Sequence, residues 1–119
     1  MYTVICFFRV KQSDVEEFVK LTKQSGELLK AHGTLEHHMF YANELTGRQG
    51  SMGILNFIEV DEDEELLLGQ SIFESREDYY KVMEQIGCND IIQYLNQHIK
   101  DIVEMSRVVT SSFTTEIPQ

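Results

Sequence analysis

The first ten residues constrain this chain more than any other stretch. Residues 2–10 read Tyr-Thr-Val-Ile-Cys-Phe-Phe-Arg-Val. On a strand, where side chains alternate between faces, Val4, Cys6, Phe8 and Val10 fall on one side and Ile5 and Phe7 on the other. A strand apolar on both faces must be covered on both. The helices available in 119 residues can cover one face of a sheet, and the other needs a partner, most economically a second copy of the chain. A homodimer is the first expectation.

Length and charge set the class. One domain is expected over residues 1–119. At this size roughly two thirds of the unfolded chain's surface can be buried, enough for a core without metal or disulfide staples. Ten Lys and Arg against twenty Asp and Glu give a net charge of -10. That charge repels phosphate backbones and anionic lipid, which excludes nucleic acid and membrane as expected partners. Cys6 and Cys88 lie far apart with no second Cys or His at ligand spacing, and read as reduced, buried thiols. The N-terminal apolar run, about seven residues with no basic segment before it, is too short for a signal peptide or a membrane span. A cytoplasmic location is expected by default.

Caps mark the helices. Ser13-Asp14-Val15-Glu16 is a capping box and predicts a helix start. Val15, Phe18, Val19, Thr22 and Leu29 recur at helical spacing until Gly33 offers a left-handed stop. Ser75-Arg76-Glu77-Asp78 starts a second helix that carries Tyr79, Val82, Met83 and Ile86 and ends at Gly87. Asn89 or Asp90 caps a third, with Ile91, Ile92, Leu95, Ile99, Ile102 and Val103 as its inward stripe.

Strands are predicted between the helices, at residues 35–43, 66–74 and 107–115. The order strand, helix, strand, strand, helix, strand is the split βαβ or ferredoxin-like plan, an α+β antiparallel sheet of order 4-1-3-2 with helices on one face. That order puts the first and third strands in the centre. Their Val4 to Phe8 and Leu66 to Leu68 runs are the most apolar, whereas the edge candidates carry Glu36-His37-His38 and Thr110-Ser111-Ser112. Residues 44–53, with Gly47, Gly50 and Gly53, read as a flexible loop. Residues 54–60 read as a short helix or, with some preference, an extended arm at the subunit boundary, and the acidic run 59–65 as a solvated turn.

Two segments carry a family resemblance. Ala31-His32-Gly33-Thr34-Leu35-Glu36, together with Asp61-Glu62-Asp63-Glu64 before an apolar strand that ends Phe73-Glu74-Ser75-Arg76, resembles a small family of uncharacterised bacterial proteins in the dimeric α/β barrel superfamily. The resemblance spans most of the chain and implies a homodimer whose two sheets face each other. Its motifs consist of turns, caps and core residues, so it informs fold rather than chemistry. Two family features are missing: Leu68-Gly69-Gln70-Ser71 holds no aromatic residue, and the stretch from Asp101 to Arg107 lacks the family's Pro-Phe-Asp-Gly-Lys-Arg run. The superfamily includes monooxygenases, haem-degrading enzymes and isomerases, and fold analogy does not choose among them. The haem-degrading members use an Asn, Trp and His set, and this sequence has no tryptophan.

Few residues are candidates for chemistry. His37 and His38 are adjacent on a strand and point to opposite faces, so they do not share a metal, and no metal site is expected. One of them faces the interior, where a neutral imidazole serves as a base or orients a ligand; the sequence leaves open which, and each also reads as an edge-strand histidine facing solvent or a partner. Arg9 lies on the face of Ile5 and Phe7, placed to pair with a carboxylate or to hold an anionic group. Gln70 and Ser71 interrupt an apolar central strand, and Tyr41 ends the second. Other motifs fail. Asp61, Asp63 and Glu65 mimic a calcium loop whose glycine position is Leu66 and whose last acidic position is Ile72; the spaced glycines lack the Lys-Ser/Thr of a phosphate loop; Cys88 has no neighbouring base.

Two functional classes remain. The first is a cofactor-independent enzyme or binder of a small organic molecule, using the cleft of each protomer with His37 or His38 as catalytic candidates and Arg9, Tyr41 and Gln70 as ligand contacts. The second is a non-catalytic dimeric interaction or regulatory module with an acidic surface.

Overall fold

The strand that opens the chain becomes the hub of the sheet. The structure, a computed structural model, describes residues 1–118. It contains β1 (Tyr2–Lys11), α1 (Val15–Ala31), β2 (Glu36–Tyr41), β3 (Glu64–Phe73), α2 (Arg76–Gly87), α3 (Asp90–Ile102) and β4 (Val109–Thr114). All strands are antiparallel in the order β2-β3-β1-β4, the predicted order, and the fold is α+β ferredoxin-like. The register sets Val4 opposite Ser71 and Ser112, and Ser71 opposite His37.

The helices cover one face of this sheet. Val10, Phe18, Val19, Leu67 and Val103 form a buried cluster at one end, with the Phe8 and Phe18 rings 5.0 Å apart. Truncating Phe18 to Ala at such a site costs about 3–5 kcal/mol. Phe73, Tyr79 and Tyr2 cluster at the other end, with the Tyr79 ring 5.2 Å from Phe73 and 5.3 Å from Tyr2. Between the two clusters the helices stand off the sheet, and Val4 and Cys6 are only partly buried. A cleft opens there.

The opposite face is covered only at one end, where Leu45 and Ile54 lie beside Phe7, Leu66 and Leu68 and Leu66 is buried. The protein measures 41 × 40 × 21 Å, and the short dimension matches one sheet plus one helix layer at about 10 Å each. Consequently Ile5 and Phe7 stay half-exposed although they sit on a central strand, and Phe40, Val109 and Phe113 at the edges are exposed. Among the described residues no helix is long and apolar enough to cross a membrane.

Several sequence expectations are corrected locally. The capping box at Ser13 does not form, because β1 runs on to Lys11 and the Gln12 amide bonds the Asp63 carbonyl at 2.8 Å. Ser13 falls inside a 3-10 turn, Gln12–Asp14, and α1 begins at Val15 without a side-chain cap. Its far end is as predicted: Gly33 takes φ +119°, a conformation that glycine adopts without strain. All four strands match to within two residues; β4 starts at Val109 rather than Arg107, since Arg107 belongs to a 3-10 turn, Met105–Arg107. Residues 54–60 form no arm along the sheet: Ile54–Asn56 is a 3-10 turn, and Ile58 tucks inward. The 44–53 segment is a loop, as expected, with exposed internal bonds from Arg48 to Glu44 at 2.9 Å and from Ser51 to the Arg48 carbonyl at 2.7 Å.

Glu64 also departs from the acidic turn predicted for 59–65. It opens β3 with its carboxylate almost covered, accepting from Arg107 Nη1 and Nη2 at 2.6 and 3.0 Å. The fork of Arg107 holds the carboxyl at about 2, well below the usual carboxylate range. Neither cysteine is fully buried. Cys6 is partly covered, with Thr110 Oγ1 3.5 Å from its sulfur, and Cys88 is exposed just past α2.

Candidate functional site

The cleft left between the two clusters encloses about 400 Å³. Its floor is the helix-facing side of β1, β2 and β3, where Val4, Cys6, Gly69, Ser71, His37 and Met39 lie side by side. Met83 of α2, Asn96, Ile99 and Lys100 of α3, and Met105 of the following turn complete the wall. The lining is mostly apolar, as small-molecule sites are, with few convergent polar groups.

His37 is the polar centre of the floor. Strand alternation and the register opposite Ser71 turn its ring toward the helices, and Nδ1 lies 2.9 Å from Ser71 Oγ. Where Nδ1–H donates to the serine, Nε2 is a base; where the serine hydroxyl donates to Nδ1, Nε2–H is a donor. In either tautomer Nε2 is buried without a hydrogen-bond partner. Burial holds the imidazole below its usual pKa, and the nearby His38 and Lys30 push the same way against the pull of Glu27. The neutral ring is therefore the resident form at neutral pH. Glycine at position 26 admits it, since a Cβ there would overlap His37 Cδ2.

This geometry can hold one polar group of a ligand and move one proton at it. It does not assemble a hydrolytic triad, because the ring nitrogen facing away from Ser71 meets no carboxylate. Among the described residues no group of three or more His, Cys, Asp or Glu is placed to hold a metal ion.

The other sequence candidates do not join His37. His38 points to the open face of the sheet, exposed, 3.7 Å from the Glu36 carboxylate. Gln70 is on that face too, opposite Ile5 and His38. Arg9 does not form the carboxylate pair that was one of its two expected roles; Nη1 donates to the Glu59 carbonyl at 3.0 Å and Nη2 to the Arg107 carbonyl at 2.7 Å, tying two connections to β1. Tyr41 is exposed at the end of β2 and borders a shallower depression of about 190 Å³ beside Phe7, Phe40 and Leu68. Of the five candidates, the cleft collects His37 alone.

Asn96 and Lys100 were not among the sequence candidates. They sit four and eight residues after Ile92, along the margin of the apolar stripe of α3, and read as ordinary helix-surface residues. A polar pair at the edge of an apolar stripe is the signal that could have found them.

No family model matches the chain, and no curated protein matches it in sequence. Solved structures do share its fold. A protein from Arabidopsis thaliana superposes with a TM-score of 0.65 at 11% identity, covering 100% of this chain and 99% of its own. A dimeric ferredoxin-like protein from an uncultured marine organism gives 0.62 at 15% identity, covering 99% and 91%. An antibiotic biosynthesis monooxygenase gives 0.59 at 13%, covering 99% and 100%. At these identities the likeness establishes the fold and leaves the chemistry to the residues.

Proposed function

We propose that this protein holds a small organic molecule in the cleft of each protomer, with His37 as polar anchor and proton acceptor, and works as a homodimer joined through the open sheet face. The reading requires no metal or organic cofactor. The observation that carries it is an apolar cleft of about 400 Å³ whose floor holds the neutral imidazole of His37, with Nε2 left unpartnered beside Gly26 of α1. A buried polar atom left without a partner costs about 1–3 kcal/mol, so a turn of the ring that brings Nε2 from Gly26 to a ligand hydroxyl or carbonyl in the cleft is favoured on binding. The dimeric and monooxygenase neighbours support a fold used around small molecules and in pairs, while the residues on the cleft wall are this chain's own.

The methionines provide the test. Met39, Met83 and Met105 line the cleft, whereas Met1 and Met52 lie outside it. Titrating methyl-13C-methionine protein with 1-octanol is expected to shift the three cleft methyls saturably and leave the other two in place. His37→Leu is expected to weaken that binding about tenfold, the loss of one hydrogen bond in an apolar site. Cleft methyls that stay put at millimolar octanol, or that move together with Met1 and Met52, would sink the proposal.

A further inference from the structure

Within that small-molecule reading, on which this step rests, we infer that the ligand is an amphipathic organic anion whose charged group sits at Lys100 and whose apolar body lies on the methionine-lined floor. The chain carries twenty carboxylates against ten Lys and Arg, so an average stretch of its surface is acidic. The cleft reverses that bias. Its lining includes no Asp or Glu, and its only formal charge at neutral pH is the ammonium of Lys100.

Lys100 is available for a ligand. Among the described residues it enters no ion pair, although Asp101 follows it directly; the Asp101 carboxylate instead accepts from Gln97 Nε2 at 3.3 Å. Lys100 is exposed near the C-terminal end of α3, which places its ammonium at the mouth while its aliphatic stem borders the apolar interior. Asn96, one turn earlier on the same wall, adds an amide beside it.

The remaining polar side chains of the lining are already engaged. Thr22 donates to the Val19 carbonyl at 3.0 Å, and Ser71 is bonded to His37. Between the mouth and His37 the surface is Met39, Met83, Met105, Phe8, Ile99 and Cys6, polarisable or apolar groups with flexible members that accept varied shapes. Two polar points separated by an apolar bed match a molecule with one anionic end. The same negative surface that disfavours anions elsewhere makes Lys100 the place where one is tolerated.

Octanoate and 1-octanol separate charge from chain. By the methionine methyl shifts, octanoate is expected to bind the cleft at least tenfold tighter than octanol at low salt, and 0.5 M salt is expected to narrow the gap. Lys100→Met is expected to abolish the preference by weakening octanoate relative to octanol, and Lys100→Arg to retain it. Lys100 is exposed, so these variants keep the fold, which the unshifted Met1 and Met52 signals verify. Equal affinity for the two probes, or a preference that survives Lys100→Met, overturns the anion assignment and leaves the cleft reading standing. Failure of both probes to move the cleft methyls overturns both.

Discussion

A single hydrogen atom decides whether His37 has room. Gly26 is interior to α1, where alanine is intrinsically better by about 1 kcal/mol. Overlap of its Cβ with the imidazole opposes that gain with about 1–3 kcal/mol of overpacking. Gly26→Ala is therefore expected to lower the urea midpoint, and in the His37→Ser background the same substitution is expected to become neutral or stabilising. An equal cost in both backgrounds would show that the ring is not the obstacle. His37 also predicts a pH dependence. Its folded pKa lies below the ordinary value of about 6.5, so below that pH the unfolded chain binds a proton that the folded protein resists. Its contribution to stability is complete above that value and declines as pH falls. Urea unfolding at pH 7.5 and 5.5 is expected to show a smaller difference for His37→Asn than for the parent, and the ring signals of His37 in NMR are expected to titrate below about 6.5.

At the scale of elements, the caps show which local signals survive folding. Ser75 Oγ accepts from the Asp78 amide at 3.2 Å and Asn89 Oδ1 from the Ile92 amide at 3.0 Å, as their positions in the sequence predict. Asn89 does more: its amide nitrogen lies 3.3 Å from His32 Nε2, so the cap of α3 also touches the end of α1. Asn89→Ala is expected to cost about 1–2 kcal/mol by thermal denaturation, at least as much as Ser75→Ala. Both are helix starts that follow an irregular residue, where the side chain is free to turn back. At Ser13 the chain is still leaving β1 and its neighbour Gln12 is bonded to Asp63, so the tertiary contact replaces the local one. Glu64 is the same lesson in charge, a residue of an acidic run drawn out of solvent by Arg107 from forty-three positions along the chain.

At the scale of the molecule, the open sheet face is the main unmet demand. Ile5, Phe7 and Leu68 occupy the centre of the sheet and remain half-exposed, with Phe40, Val109 and Phe113 exposed around them. Sedimentation equilibrium at micromolar concentration is expected to give twice the 13.8 kDa of one chain. Phe7→Lys is expected to shift the equilibrium toward monomer, because an ammonium at that position would be desolvated in the interface. A parent protein that sediments as a monomer contradicts the two-sided strand argument.

The sequence by itself determined the elements, their order in the sheet and the existence of an uncovered apolar face, because periodicity, caps and the double-sided pattern of residues 2–10 are local. It also narrowed the imidazole candidates to two adjacent residues. Only the tertiary structure decided between them: register, fixed by pairing among β1, β2 and β3, set His37 against Ser71 and sent His38, Gln70 and Arg9 to the other face. Strand parity is a two-valued choice that one residue of slip reverses, and nothing within a single strand fixes it. The cleft itself is a property of where the helices stand, one end held by Phe18 and the other by Phe73 and Tyr79, and that spacing is written in no single segment.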